Sequence, residues 1–290
     1  MNCNLCPRTC NINRQNAVGF CAKNNTMQVS KVMLHYGEEP FLTSGGASGA
    51  IFFAGCNLKC VYCQNHFISN GSGKRISIRI LISLFKQLEA AGAQNLDLVT
   101  PTHYANLIYK ALKKYKPNIP VIYNCGGYES AETIIKLCEV IDIFLFDLKY
   151  YDNSLALKYS SAPNYFNFAT NAIKLATCHK PDIIKNDQLI QGVAIRHLCL
   201  PSHTNDSLKI LDWVAALNTT TFVSIMSQYV PMHKAQNYAE INRPLKPLEY
   251  KIVINHAKKL GLKNAFIQEL DSNSTDMLPN FLVQDKQFKY

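Results

Sequence analysis

No stretch of this chain approaches the roughly 18 consecutive apolar residues of a membrane-spanning helix. Its start, Met1-Asn2-Cys3-Asn4-Leu5-Cys6-Pro7-Arg8, lacks the apolar centre of a signal peptide. The expectation is a soluble, cytoplasmic protein with no membrane partner. Long basic blocks are missing too. The net charge is +10, yet the pure basic runs are pairs such as Lys113-Lys114 and Lys258-Lys259. Charge so scattered reads as a solvated surface, and a nucleic-acid partner is not expected. Attraction of an acidic partner protein stays open. There is no internal repeat, low-complexity tract or long linker. Apolar residues are not scarce: at 48% of 290 residues they suit a globular α/β chain of one large domain or two small ones.

Cysteine, by contrast, is plentiful, with eleven residues unevenly clustered. In a secreted chain an odd count suggests disulfides with one thiol left over; without a signal peptide such clusters suggest metal. Cys56, Cys60 and Cys63 form a C-x3-C-x2-C triplet with Tyr62 before the last cysteine. Thiolates are soft ligands suited to iron–sulfur clusters or zinc. Three local ligands leave one iron of a four-iron cluster open to an exogenous ligand. A zinc knuckle or plain buried thiols are the alternatives. Cys3, Cys6, Cys10 and Cys21 form a second set, open to a structural zinc, another cluster, or reduced thiols. Cys125, Cys138, Cys178 and Cys199 are scattered and read as packing residues.

Two parts follow from the pattern: a cysteine-rich N-terminal extension over 1–47, and an α/β core with a C-terminal helix and strand segment over 48–290. In the core, short apolar runs alternate with helical periodicity. Strands are expected at Ala50–Ala54, Leu96–Val99, Val121–Tyr123, Ile141–Leu148, Gly192–Leu200 and Thr221–Met226, and a last one at Ala265–Ile267. Helices are expected after Ile78, through Leu107 to Leu112, from an N-cap at Ser130, and over Tyr165–Ala176, Ser207–Ala216 and Pro247–Leu260. Apolar strands between helices imply parallel pairing with both faces covered. An incomplete (β/α) barrel and an open doubly wound sheet both satisfy this periodicity.

In α/β barrels the chemistry sits at the C-terminal strand ends. Here those ends carry Thr100, Thr102 and His103; Asn124 and Cys125; Asp147 and Lys149; Arg196 and His197; and Ser227, Gln228 and Tyr229. Alternation puts Asp147 and Lys149 on one face, and sends only one of Arg196 and His197 inward. His103 as a helix cap, and Asp147–Lys149 as a surface ion pair, are the plainer readings.

The triplet resembles the signature of the radical S-adenosylmethionine (radical SAM) superfamily. That resemblance implies a partial (β/α)6 barrel with the cluster loop after its first strand. It also implies a [4Fe–4S] cluster on Cys56, Cys60 and Cys63, and bound SAM. The cluster would cleave SAM reductively to a 5′-deoxyadenosyl radical, with a flavodoxin or ferredoxin as reductant. Ile143-Phe144-Leu145-Phe146-Asp147-Leu148-Lys149 is similar to the Asp-x-Lys strand of the pyruvate formate-lyase activating enzymes, implying that Asp147 and Lys149 help bind SAM. Cys6-Pro7-Arg8, Gly55-Cys56-Asn57-Leu58, Val99-Thr100-Pro101-Thr102-His103, Arg196-His197-Leu198 and Met226-Ser227-Gln228-Tyr229 extend the likeness to a pyruvate formate-lyase activating enzyme-like branch. A partner-protein substrate carrying a glycyl radical would follow.

One departure stands out. Many radical SAM proteins hold the SAM amino group with Gly-Gly-Glu after the second strand. Here Thr100-Pro101-Thr102-His103 takes that place, so Thr100, Thr102 or His103 is expected to make that contact; Tyr62 of the cluster loop is a further candidate cofactor contact. Gly37-Glu38-Glu39-Pro40 looks similar but precedes the cluster loop. The competing functions are radical SAM modification of RNA, peptide or a small molecule, and a noncatalytic iron–sulfur or zinc protein that binds a partner.

Overall fold

The computed structural model describes residues 3–71, 73–269, 279, 281, 283 and 285–290. Ten strands form its framework: β1 (Gln28–His35), β2 (Ser48–Phe53), β3 (Lys74–Arg75), β4 (Asn95–Val99), β5 (Val121–Cys125), β6 (Ile143–Asp147), β7 (Ile183–Lys185), β8 (Gln188–Leu198), β9 (Phe222–Met226) and β10 (Ala265–Ile267). Along the sheet the order is β10-β9-β8-β6-β5-β4-β2-β1-β3, with β7 attached to β8. From β2 to β10 neighbours pair in parallel, while β1 runs antiparallel to β2. The fold is α/β with an open, partial barrel sheet, as the apolar runs implied. β1 was not expected. A register shift between Val29 and Lys31 breaks the alternation that would have marked it in the sequence.

Strand parity sorts the side chains into two layers. Ile51, Phe53, Leu96, Leu98, Tyr123, Phe144, Phe146, Val193, Ile195, Val223 and Ile225 pack under the helices with Leu81, Leu84, Phe85, Ile108, Ile173 and Ile210. The intervening residues Ile122, Ile143, Leu145, Ala194 and Phe222 face the concave side and form a separate apolar cluster. Its centre comes from outside the parallel strands. A one-turn helix, Pro40–Thr43, contributes Phe41 and Leu42 to that cluster. The Phe41 ring lies 5.1 Å from that of Phe222 and 4.6 Å from that of Phe266. Segment 36–47, between β1 and β2, therefore fills the barrel interior. The sheet curls round it, so that Arg196 on β8 comes within 3.9 Å of both Glu38 and Glu39.

The expected helices are present, with shifted ends. Ser130 stands at the N-cap of Ala131–Leu137, but its hydroxyl makes no cap bond. It lies instead within hydrogen-bond distance of the Leu5 carbonyl oxygen, at 3.2 Å, and of Thr133 Oγ1, at 2.9 Å. Cys125, Cys138 and Cys199 are buried as expected; Cys178 is exposed, which corrects its reading as a packing residue. No helix among the described residues is long and apolar enough to cross a membrane.

Candidate active site

The loop after β2 carries the cysteine triplet. It starts at Gly55, whose φ of +92° suits glycine, and a Cβ there would come within 2.6 Å of Lys23 and 2.7 Å of the Cys21 carbonyl oxygen. Its backbone is tied to the end of the helix Asn153–Ser160: Val61 N–H donates to the Tyr159 carbonyl at 2.8 Å, and Lys59 N–H to that of Ser160 at 3.2 Å. Arg8 clamps the same junction. Its Nε donates to the Asn57 carbonyl at 2.8 Å and its Nη1 to that of Ser161. Its guanidinium lies 3.8 Å from the centre of the Phe20 ring. The Cys6-Pro7-Arg8 run thus has a structural task, fixing the loop from behind.

The three thiols are half-buried and act electrostatically on one another. Burial first, and then the neighbouring Cys60, pushes Cys63 up to about 12. Cys60 Sγ accepts a hydrogen bond from Ser160 Oγ at 2.9 Å. Ser160 Oγ is bonded to the Tyr150 hydroxyl at 2.7 Å, and that hydroxyl to Tyr62 at 2.6 Å. Tyr62, the aromatic residue of the motif, therefore anchors the loop through a buried chain that returns to a thiol. No three His, Cys, Asp or Glu among the described residues are grouped to hold a single metal ion. A four-iron cluster puts each thiolate on a different iron, so its ligands stand farther apart than donors round one ion. The triplet, one thiol-rich loop facing a cavity, fits the cluster in type and number of donors.

The N-terminal cysteines are neighbours of a looser kind. A Cβ on Gly19 would lie 3.5 Å from Cys10 Sγ and 3.6 Å from Cys21 Sγ. Charge on Cys3 or Cys10 acts on Cys21, and charge on Cys21 acts on Cys6. Burial pushes Cys6 up to about 12. They do not form a site for a single ion.

A cavity of about 240 Å³ opens beside the triplet, with Cys60, Tyr62 and Cys63 on its wall. Asp147, Lys149 and Arg196 face it together. Lys149 Nζ lies 2.7 Å from Asp147 Oδ2, and Arg196 Nε 2.9 Å from Asp147 Oδ1. Burial opposes the charge on Asp147, yet Lys149 and Arg196 overcome it and hold the carboxyl at about 2. Arg196 also donates to Asn124 Oδ1 at 2.5 Å. His197 points the other way, between the Leu148 carbonyl and Ser207 Oγ, both at 2.8 Å. The parity expected for both pairs holds. Gln228 also lines the cavity, whereas Ser227 bonds the Glu269 carbonyl and Tyr229 that of Ile241.

The segment after β4 does not reach this cavity. Thr100 ends the strand in a left-handed turn, φ +57°, with its amide on the Asn124 carbonyl. Thr102 Oγ1 donates to Glu129 at 2.5 Å under the helices. His103 is buried, its Nε2 2.7 Å from the Ala54 carbonyl oxygen, and it faces a different cavity beside Cys3 and Arg14. Burial lowers His103 to about 3. Thr100 and His103 thus stand away from the triplet's cavity, because the chain turns down onto the helix layer immediately after β4.

Acids arrive instead from two unexpected places. Glu38 and Glu39 line the cavity from the segment that fills the barrel. Asp97 lies inside β4, with its Oδ2 accepting from Asn124 at 3.1 Å. Asp97 had a sequence signal: an acid within an apolar strand, at the same parity as the cavity residue Val99. Burial chiefly, then Asp97, raises Glu38 to about 7. Burial raises Glu39 to about 8 against the pull of Arg196, and Asp97 to about 6.

Residues 50–214 match the family described as the radical SAM superfamily. An uncharacterized protein of Methanocaldococcus jannaschii is 33% identical over 274 residues, covering 90% of this chain and 75% of that protein. Among solved structures, the [FeFe]-hydrogenase maturase HydG is similar with a TM-score of 0.50 at 13% identity, over 73% of this chain and 48% of its own. Spore photoproduct lyase is similar with a TM-score of 0.50 at 10% identity, over 74% of each chain. Methylornithine synthase has a TM-score of 0.49 at 16% identity; the match covers 73% of this chain and 60% of that one. Members of the matching family bind a [4Fe–4S] cluster and S-adenosylmethionine.

Proposed function

The chain belongs to the radical SAM superfamily, and from that premise we propose that Cys56, Cys60 and Cys63 hold a [4Fe–4S] cluster and that the adjoining cavity binds SAM. One observation carries this reading: Cys60 and Cys63, on the loop that also holds Cys56, open onto the cavity faced by the Lys149–Asp147–Arg196 ion-pair chain. A cluster held by these cysteines would supply the electron for reductive cleavage of the sulfonium bond to a 5′-deoxyadenosyl radical. The chain's residues do the rest. Lys149 carries its positive charge beside the thiols and offsets the negative charge of a thiolate-bound cluster. Asp147 keeps Lys149 and Arg196 fixed and accepts hydrogen bonds from polar groups of SAM. Tyr62, through Tyr150 and Ser160, holds the loop rigid. A flavodoxin or ferredoxin would be the reductant.

Anaerobic reconstitution with iron and sulfide, reduction, and assay for 5′-deoxyadenosine test the proposal. The wild type should form it. An alanine at any one of the three cysteines should remove both cluster absorbance and cleavage, and a triple alanine variant that still cleaves SAM would end the assignment.

A second reading, that the substrate is a glycyl radical enzyme, draws on the activase-like Asp147-Leu148-Lys149 strand. Its test is a stable protein radical, seen by electron paramagnetic resonance, after incubation of the reduced enzyme and SAM with proteome extract. Turnover of a small molecule with no protein radical in any fraction would sink it.

A further inference from the structure

The N-terminal cysteines have no part in the reading above. Their segment, residues 3–26, holds neither helix nor strand. Within it only Cys6, Arg14, Cys21 and Lys23 are buried: two thiols and two cations. Val18 and Phe20 are exposed, and the apolar core begins at Met27. A stretch with no regular structure and no core of its own needs a cross-link or a metal to hold one shape.

The backbone gathers its cysteines. Cys3 pairs with the stretch that follows Cys10: its N–H donates to the Ile12 carbonyl at 2.9 Å, and Asn11 N–H donates to the Cys3 carbonyl at 3.1 Å. A turn closed by Thr9 N–H on the Cys6 carbonyl, at 3.0 Å, leads from Cys6 into Cys10. Gly19 then stands against Cys10 and Cys21 at once, since a Cβ there would meet both sulfurs. Its φ is not positive, so the backbone does not require glycine; the missing side chain leaves space beside two thiols. Phe20 N–H donates to Cys10 Sγ at 3.4 Å, as Leu58 N–H does to Cys56 Sγ at 3.3 Å. Hydrogen bonds to sulfur are a means by which proteins tune cluster thiolates. Charge balance points the same way. Arg8, Arg14 and Lys23 act electrostatically on these thiols, yet all their hydrogen bonds go to neutral oxygens. No Asp or Glu precedes Glu38 in the chain, and Glu129, which acts on Cys6, is bonded to Thr102 and Tyr123. Buried cations without an anion are costly.

We propose that Cys3, Cys6, Cys10 and Cys21 hold a second [4Fe–4S] cluster, closed by four thiolates. It supplies the anion that the buried cations lack and the cross-link that the extension lacks. Its binding releases the thiol protons and couples to folding of the segment. Zinc would need its sulfurs round one ion, and no three of these are so grouped. A cubane puts each thiolate on a different iron, which suits this wider set as it suits the Cys56 triplet. None of residues 3–26 lines the cavity beside that triplet, and a cluster with every iron held by the chain leaves no position for a substrate. The second cluster would instead stand behind the first loop, where Arg8 bonds Asn57 and the Cys21 carbonyl packs on Gly55.

The experiment reconstitutes the full chain anaerobically with iron and sulfide, measures iron, sulfide and zinc, and records Mössbauer spectra. The wild type should hold about eight irons, and the Cys56→Ala/Cys60→Ala/Cys63→Ala variant about four, still with the spectrum of a four-iron cluster. The Cys10→Ser/Cys21→Ser variant should hold about four, those of the triplet. Alkylation of the unaltered protein gives the answer even if that variant folds poorly. Cys3, Cys6, Cys10 and Cys21 should be labelled about tenfold or more slower with iron than without, because alkylation reads the free thiolate. Exposed Cys178 should be labelled alike in both. The proposal is overturned if the triplet variant binds no iron, if these four cysteines take zinc and exclude iron, or if their labelling is the same with and without iron.

Discussion

Ser160 Oγ donates a 2.9 Å hydrogen bond to Cys60 Sγ, although the two residues are 100 positions apart. A donor on a cluster thiolate favours the reduced, more negative state, so its removal lowers the reduction potential. Ser160→Ala should shift the reconstituted cluster downward by on the order of 40 mV, the one-electron equivalent of about 1 kcal/mol. Redox titration followed by electron paramagnetic resonance reads the shift. An unchanged potential would limit Ser160 to holding Tyr150.

Asp147 joins Lys149 and Arg196, and neither cation is more than 17% exposed at the side chain. Asp147→Ala leaves two cations facing each other with the carboxylate they share gone. The expected costs are about 3 kcal/mol of stability, read by chemical denaturation, and a SAM dissociation constant raised about tenfold or more, with cluster content retained. A dissociation constant equal to that of the wild type would remove Asp147 from the SAM site.

The pH dependence follows from the raised acids. Glu38 at about 7, Glu39 at about 8 and Asp97 at about 6 bind protons more tightly folded than unfolded, where carboxyls titrate near 4. Their contribution is complete below the unfolded values and is lost as pH rises through 6 to 8. Facing them are His35, itself lowered by burial, together with Arg196, Asn124 and Asp147. Asp147 has the opposite sign, with its stabilisation lost only as pH falls towards about 2. Stability of the ligand-free protein should therefore decline between pH 5 and 8 on urea titration, and Glu38→Gln/Glu39→Gln should flatten that decline. A decline of the same size in the double variant would assign it to other groups.

Arg8 bonds the Asn57 carbonyl and the carbonyls of Ser160 and Ser161 while stacking over Phe20. Arg8→Ala should cost about 2 kcal/mol through lost charge-assisted bonds and packing. It should also speed oxygen-driven loss of the cluster, followed by bleaching in air, while leaving the initial iron content close to that of the wild type. Bleaching at the wild-type rate would show that the loop needs no such clamp.

The sequence by itself determined what depends on local spacing and on the period-2 alternation of a strand. The C-x3-C-x2-C loop, the parallel core strands, the shared face of Asp147 and Lys149, and the opposed directions of Arg196 and His197 were all legible there, because each involves residues within a few positions. The tertiary structure decided which distant segment completes the cavity. Phe41 and Leu42 find their apolar partners on β5, β6, β8 and β9, and in doing so carry Glu38 and Glu39 to Arg196. His103 sits at a strand end like the others, yet the turn at Thr100 sends it to the Ala54 carbonyl on the helix side. A strand's pattern fixes which way its own side chains point; what they meet depends on how the sheet curls and on what fills it, and those are contacts between residues far apart in the chain.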